Sequence, residues 1–577
     1  FFKGIFLFFV ELNDYLNYGE NEGIFMSDQI LTLHVGPSQL LSKLCDEIEL
    51  EKTINDLVKW DSVRCHLSPG TRIKALVLNI LCSGKPLYKV HEFYQTLDSE
   101  MLFDTSISPD QLNDDALGRA LDYLHEAEAW KVYSTLALKA LKRLNLPIGV
   151  LHNDTTSISV YGEYKQPKED GLQITYGYSK AHRPDLKQIV LGMGVTPERI
   201  PILAKVENGN ISDKSWNVAF IQKMRKILSN EDWKNLIYQA DSALITTENL
   251  AEIQQQKLSF ISRLPDTFGL STELKKEAWS LNNWEMVGSL SDKKDAAIYQ
   301  IQAFERQIKD LPYRFLVVHS NILDQRKEKT LNRAIEKEET KLKKEIEKLS
   351  KVPFHCKEDA LEAIQAFKKK QKTSYFCYEL NVQMSDQPVK RKKRGRPKKG
   401  EQTKREQVYQ IQLESFKKDR DFIEKKKKKL STFVLITNKL DEETLSNQEV
   451  LKIYKGQSAA ETRFRLIKDS QMIDAIYLKT PERVEALGIV YVMALLIYGI
   501  LEYRVRKELK ERNLSLILKG KRKLHQPTGQ ALLEQLEDIT VILINQNQQK
   551  IRLLPDNIDS QAKKIIELCG YDLSIYV

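Results

Sequence analysis

The feature that most constrains the fold is a change of period at Ile148. From Ile148 to Tyr161 the chain reads I-G-V-L-H-N-D-T-T-S-I-S-V-Y, rich in β-branched residues, with Val150, His152, Asp154, Thr156, Ile158 and Val160 on one side. That pattern predicts a core strand with Asp154 at its middle, where an unpaired carboxylate is costly. Asp154 is either bonded to backbone at a strand bend or held there for chemistry.

A second acid sits in a comparable place. The segment Asn235 to Leu264 parses as a strand (Leu236 to Ala240), Asp241 at its carboxyl end, a helix capped near Thr246 or Thr247, and a strand from Leu258 to Leu264. This is a β-α-β unit with a carboxylate where the first strand ends, the position at which open α/β sheets bind ligands. A turn-capping Asp is the alternative. Further strands are expected at Gln188 to Val195 and Ile200 to Val206, then a helix from about Ser215 to Leu228.

The third acid lies far downstream, in I-Y-K-G-Q-S-A-A-E-T-R-F-R-L-I-K-D-S, Ile453 to Ser470. Wound as one helix at about 100° per residue, this stretch puts Tyr454, Gln457, Glu461 and Lys468 within a stripe about 60° wide. A phenol, an amide, a carboxylate and an ammonium on one face suit a metal and a phosphate; a solvated face is the alternative.

Around these segments the pattern differs. Met26 to about Asn145 has helical spacing (Leu40, Leu41, Leu44, Ile48; Ile73, Leu76, Val77, Ile80, Leu81; Leu117, Leu121, Leu124), with a capping start at Asn113 to Asp115. It reads as a DNA-binding or dimerisation module, or as any small helical bundle. Between Pro265 and Leu430 expected strands (Trp284 to Leu290, Ala297 to Phe304, Tyr313 to His319, Tyr375 to Val382, Val408 to Phe416) flank an antiparallel helical hairpin. Ile335, Leu342 and Leu349 mark its first arm, Ala360, Ile364 and Phe367 its second, and Pro353 separates them. Within this insertion lies K-R-K-K-R-G-R-P-K-K-G, Lys390 to Gly400. Its Arg394-Gly395-Arg396-Pro397 resembles an AT-hook, whose guanidiniums enter the narrow minor groove of A·T-rich DNA. Even as a solvated loop it would raise affinity for phosphate backbones.

The sheet pattern resumes at Thr432 to Thr437, and Ala486 to Leu501 reads as a buried helix, shorter than the roughly 18 residues of a membrane span. A basic segment follows (Arg504, Arg506, Lys507, Lys519, Lys521, Arg522, Lys523). Met26 is the expected natural start; Phe1 to Phe25 lacks the charged start and cleavage site of a signal peptide. The six cysteines are scattered, with neither a C-x-x-C pair nor His at zinc spacing, which argues against a disulfide framework and structural zinc. There is no phosphate-cradling Gly-rich loop and no Ser/His nucleophile pattern. His182, in S-K-A-H-R-P-D, is read as structural or DNA-facing rather than as a ligand. The net charge of +10 accompanies many acids as well as bases, so its clustering matters more than its sum.

Two strand acids and one helix acid at this spacing are what a ribonuclease-H-like core needs to gather carboxylates at one sheet edge. Three carboxylates around two Mg²⁺ ions, or Mn²⁺ in their place, offer hard oxygen ligands and leave positions for water and phosphate oxygens.

Asp154 in H-N-D-T-T, Asp241 in Q-A-D-S-A, and Y-K-G-Q-S-A-A-E-T-R-F-R-L-I-K resemble the DDE transposases of bacterial insertion sequences. Within these they are similar to the IS-four superfamily, whose signature is Tyr, two residues, Arg, three residues, Glu, six residues, Lys. Tyr454, Glu461 and Lys468 match it, while Gln457 stands where Arg is usual, replacing a charged bidentate phosphate contact by a neutral one. S-K-A-H-R-P-D-L-K-Q and K-T-P-E-R-V-E-A-L also resemble one branch.

The resemblance implies an α/β, ribonuclease-H-like core interrupted by a β-rich insertion with a helical hairpin, after an N-terminal helical domain. The expected divisions are 1–25 upstream, 26–145 helical, 146–264 and 431–510 catalytic core, 265–430 insertion and 511–577 tail. It implies a metal site of Asp154, Asp241 and Glu461 with two Mg²⁺ ions and phosphate contacts from Tyr454, Gln457 and Lys468, to which the AT-hook resemblance adds DNA contacts from Arg394 and Arg396. It further implies double-stranded DNA as partner, a homodimer in the synaptic complex, a bacterial cytoplasmic location with no membrane, and cut-and-paste transposition from terminal inverted repeats. A metal-dependent nuclease without strand transfer and an inactive DNA-binding remnant are the alternatives.

Overall fold

The computed structural model describes residues 29–164, 171–180, 183–291, 295–323, 325–371, 375–388, 405–468, 476, 478–520, 522–546 and 549–577. The expected start at Met26, His182, and the Lys390 to Gly400 loop with Arg394 and Arg396 lie outside the described residues. The chain divides into two compact units, one ending at Asp232 and resuming at Ser458, the other running from Trp233 to Gln457.

The first unit is built on a helix of 31 residues, Pro481–Glu511, started by the Thr480 side chain and by Pro481. Every residue from Ala486 to Glu502 is buried. A helix apolar on all sides needs neighbours on all sides. Ser38–Glu47, Pro69–Cys82, Asp114–Glu126 and Ala129–Arg143 supply them. Asn113 caps the third of these through Ala116 N–H at 2.9 Å. The helix is longer than the apolar run alone suggests: it is long and apolar enough to cross a membrane, but 94% of that stretch is buried in the protein. The N-terminal helices therefore share one core with catalytic-region residues, and the expected boundary at 145 does not separate compact units.

Strand β1 (Gln29–Leu33) pairs antiparallel with Val541–Gln546, tying the first described residues to the tail. Strands β2 (Val150–Val160), β3 (Lys187–Val195) and β4 (Pro201–Glu207) follow in the order β4-β3-β2, all antiparallel. The single-sided alternation read for β2 is too simple. Leu151, Asn153, Thr155 and Ser157 are buried as well as His152, Thr156, Ile158 and Val160, so the strand is covered on both faces. The helix Ser458–Ile467 packs on β2 and β3.

The second unit has a mixed sheet. Strands β5 (Ile237–Gln239) and β6 (Ser259–Arg263) are parallel, joined through the helix Thr247–Gln255, the expected β-α-β unit. After them come β7 (Glu285–Ser289), β8 (Ile298–Ile308), β9 (Leu311–Ser320), a ribbon of β10 (Phe376–Pro388) with β11 (Arg405–Lys418), and β12 (Thr432–Thr437). The sheet order is β5-β6-β12-β9-β8-β7. Three strands assigned by sequence to an insertion thus extend the sheet itself, because β12 pairs with β9 on one side and β6 on the other. Ile261, Leu316, Val318 and Leu435 form their common core.

The expected helical hairpin is present as Gln325–Ser350 and Lys357–Lys370, and its apolar faces are covered by a β-ribbon. Leu331, Ile335 and Leu342 bury against Phe376, Tyr378 and Phe416, and Ala360 and Ile364 against Ile411, Leu380 and Val382. Both apolar stripes share the β10–β11 ribbon as a partner, with Phe367 and Leu349 of the opposite helices at their edges. A bulge makes this work: the register steps from Glu379↔Ser415 to Leu380↔Leu413, leaving Glu414 extra, so Ile411 and Phe416 fall on the same face despite their odd spacing. Phe354, between the helices, is bridged to Tyr409 by two backbone hydrogen bonds of 2.8 and 2.9 Å.

Candidate active site

In the first unit Asp154 lies mid-strand in β2, opposite Met193 of β3, with a quarter of its side chain exposed. Its Oδ1 accepts the Thr155 N–H at 2.7 Å, so the backbone-bonded reading is part of the answer. The other part is charge. Lys180 Nζ lies 3.7 Å from Asp154 Oδ1 and donates to Thr155 O (2.9 Å) and Thr155 Oγ1 (2.8 Å). Its own N–H donates to Ser157 Oγ at 2.8 Å. The loop before β3 is thereby fastened along β2 with an ammonium beside the acid.

Glu461 is exposed in the first turn of Ser458–Ile467, where the helix dipole favours a negative charge. Two residues on, Arg463 is wholly buried and anchors this helix. Its Nε donates to Arg199 O and its Nη2 to Glu502 Oε2, each at 2.6 Å. Lys468 follows the helix end. Desolvation and the Lys180 charge lower its pKa, and Asp154 opposes them. Asp154, Lys180 and Lys468 therefore feel one another in one charged cluster.

In the second unit Asp241 stands where β5 ends and caps the turn Ser242–Leu244, its Oδ1 accepting the Ala243 N–H at 3.0 Å. Ser262 Oγ on β6 donates to Asp241 O at 2.7 Å. Gln457 comes to the same strand end: its Oε1 accepts from Nε2 of the buried Gln239 at 3.2 Å. Tyr454 is half-buried against Phe433, ring centroids 5.8 Å apart.

The single helix read from Ile453 to Ser470 is corrected. Asn447–Lys455 ends in a turn at Gly456 and Gln457, and Ser458–Ile467 begins anew. Tyr454 and Gln457 belong to the second unit, Glu461 and Lys468 to the first, so one continuous helical stripe does not describe them. Gly456 keeps a right-handed conformation, and its N–H is shared among the Ile453, Lys452 and Tyr454 carbonyls. Lys180 was missed by sequence reasoning; the only signal was its place in S-K-A-H-R-P-D.

Among the described residues no group of three or more His, Cys, Asp or Glu side chains lies close enough to hold a metal ion. The chemistry of the candidate donors still fits one class of ion. Three carboxylates, without thiolate or imidazole, suit Mg²⁺ or Mn²⁺ rather than zinc.

The sequence model of the family described as "Transposase DDE domain" matches residues 146–497. The chain belongs to the DDE transposases. It is accordingly a nucleotidyl-transfer enzyme with DNA as its partner. A second family model, a domain of unknown function (DUF4277), matches residues 32–138 of the transposase. No curated protein matches it. Among solved structures, the cryo-EM structure of a piggyBac transposase synaptic complex with hairpin DNA matches 87% of this chain and 79% of that one. At 11% identity and a TM-score of 0.34 that likeness carries no argument.

Proposed function

We propose that this transposase binds the terminal inverted repeats of an insertion sequence of the IS-four type and, as a homodimer in the bacterial cytoplasm, cuts and rejoins DNA strands. In this reading Asp154, Asp241 and Glu461 act together as the metal-holding carboxylates. The observation that carries it is that residues 146–497, matched to the transposase DDE domain, contain all three acids. The setting of Asp154, an acid kept in the middle of a buried strand with two lysines sensing it, adds to that.

Two bound Mg²⁺ ions would supply an activated water or DNA 3′-hydroxyl and stabilise the leaving oxygen of an in-line displacement. The chain's own residues prepare for this. Thr155 N–H and Lys180 fix the Asp154 carboxylate before DNA arrives. Arg463 fixes the helix that bears Glu461. Lys468, whose ammonium feels the Asp154 and Lys180 charges, would hold a phosphate oxygen by a charge-assisted hydrogen bond. Gln457 contributes a neutral amide in place of a guanidinium, and Tyr454 a phenol; both are phosphate contacts in this reading.

The test is joining of a pre-cleaved end. With Mg²⁺, the purified chain should attach a duplex ending in the element's terminal repeat, 3′-hydroxyl exposed, to plasmid DNA. Cleavage of the plasmid without any attached end would replace the transposition reading by that of a nuclease.

A further inference from the structure

Glu502, in the long helix Pro481–Glu511, is 2% exposed and is approached by three guanidiniums. Arg463 Nη2 bonds its Oε2 at 2.6 Å, while Arg506 Nη2 and Arg199 Nη1 lie 2.5 and 3.7 Å from its Oε1. One carboxylate thus serves three fixed positive charges. Arg199 and Arg506 are not sealed in: both form the wall of a cleft of about 820 Å³ that Lys507, Lys510 and His525 also line. Among the described residues that line it, the acids are Glu198 and Glu511, against those four Arg and Lys side chains. Among the described residues neither Lys507 nor Lys510 has a carboxylate partner.

Cations near a helix C-terminus commonly just offset its dipole. That effect fades within the last turn, so it accounts for Lys510 but not for Arg506, and Arg199 belongs to another part of the chain. Crowding is visible in Arg506, whose pKa is lowered by burial, with Arg199 and Arg463 lowering it further against Glu502. A lining this charged is also unlike small-molecule sites, which are mostly apolar. Nor is the positive charge confined to one point. Lys507 also lines a neighbouring cleft of about 320 Å³ together with Glu508, Glu567 and three arginines, Arg143, Arg504 and Arg512, which are paired with Glu49, Glu47 and Glu508. A row of cations shared by two adjoining clefts matches successive phosphates along a strand better than one free anion.

We propose that this cationic track, Arg199, Arg506, Lys507 and Lys510 with Arg504 and Arg512 beyond, is a docking site for the phosphodiester backbone of DNA, outside the residues assigned to catalysis. It rests on the reading of the chain as a DNA-joining transposase and adds a surface that positions the duplex without reading its sequence.

The test uses the full-length chain and a fluorescein-labelled duplex of arbitrary sequence, with binding followed by anisotropy as salt is varied. The double variant Lys507→Ala/Lys510→Ala removes two exposed cations and leaves the Glu502 cluster intact. Its log Kd against log salt should be shallower than wild type by about 1.8, and affinity at about 0.1 M salt should fall about tenfold or more. Lys341→Ala/Lys344→Ala, in the second unit, serves as control and should change neither. An unchanged slope in the first double variant, with unaltered thermal unfolding, overturns the proposal. So does wild-type stabilisation by millimolar inorganic phosphate that is lost in the variant while DNA binding is kept, which would make the cleft a free-phosphate site. Failure of wild type to bind any duplex would instead strike at the transposase reading on which this one rests.

Discussion

The ion cluster beneath Glu461 makes an asymmetric prediction. Replacing Glu502 by Leu leaves three guanidiniums without their shared carboxylate, and Arg463, wholly buried, keeps the Arg199 carbonyl and the face of the Tyr498 ring but no anion. Leaving an uncompensated buried charge costs about 3–5 kcal/mol. Replacing Arg463 by Met is gentler, because Glu502 still has Arg506 at 2.5 Å and Arg199 at 3.7 Å. Its cost is one charge-assisted hydrogen bond plus an unpaired carbonyl, about 1.5–3 kcal/mol. In the double variant neither buried charge is stranded, so its cost should fall below the sum of the two by about 1–2 kcal/mol. Hydrogen exchange of amides between Ala486 and Leu501 reads these values, since opening of that helix reports the stability of its surroundings. Glu502→Leu should speed exchange by about 10²-fold to several thousand-fold and Arg463→Met by about 10- to 100-fold, at about 1.4 kcal/mol per decade. Equal effects of the two single variants, or strict additivity in the double, would refute the claim that three cations depend on one carboxylate.

Other expectations concern charge and packing elsewhere. Burial, with the neighbouring Lys205 charge, lowers the Lys223 pKa from 10.5 to about 8, its ammonium lying over the Trp130 ring at 4.4 Å. Between about pH 8 and 10.5 the unfolded chain then binds more protons than the folded one, so stability should rise with pH across that window, and below about pH 8, where both states are protonated, this group should contribute no further slope. Lys223→Met should abolish that slope in thermal melts. Ile411→Ala removes the ribbon residue on which Ala360 and Ile364 pack, and should cost about 2–5 kcal/mol, seen as faster exchange in Lys357–Lys370.

The elements that carry the candidate acids were largely legible because they are local. Asp154 and Asp241 were placed by alternation and by a β-α-β pattern, and each is where the pattern puts it, mid-strand and at a strand end. The break between Lys455 and Ser458 was not legible. Gly456 carries no unusual dihedral to announce a stop, and the tie that holds Gln457 runs to Gln239, 218 positions away. Lys180 escaped for the same reason: a lysine in a loop acquires meaning only when the loop is laid along β2. The hairpin shows a related limit. Leu331, Ile335 and Leu342 announce a buried stripe, but the spacing says nothing of what covers it, and the cover is a bulged ribbon together with Phe367 of the second helix.

Exchanging each proposed metal-holding acid for cysteine tests the central claim most directly. In Mg²⁺, Asp154→Cys, Asp241→Cys and Glu461→Cys should each lose DNA cleavage by about 10³-fold or more, several kcal/mol of charge stabilisation, while duplex binding persists. Mn²⁺, softer than Mg²⁺ toward thiolate, should restore part of the activity in all three. Full cleavage by any one of them in Mg²⁺ would contradict the account, because that residue would then hold no metal.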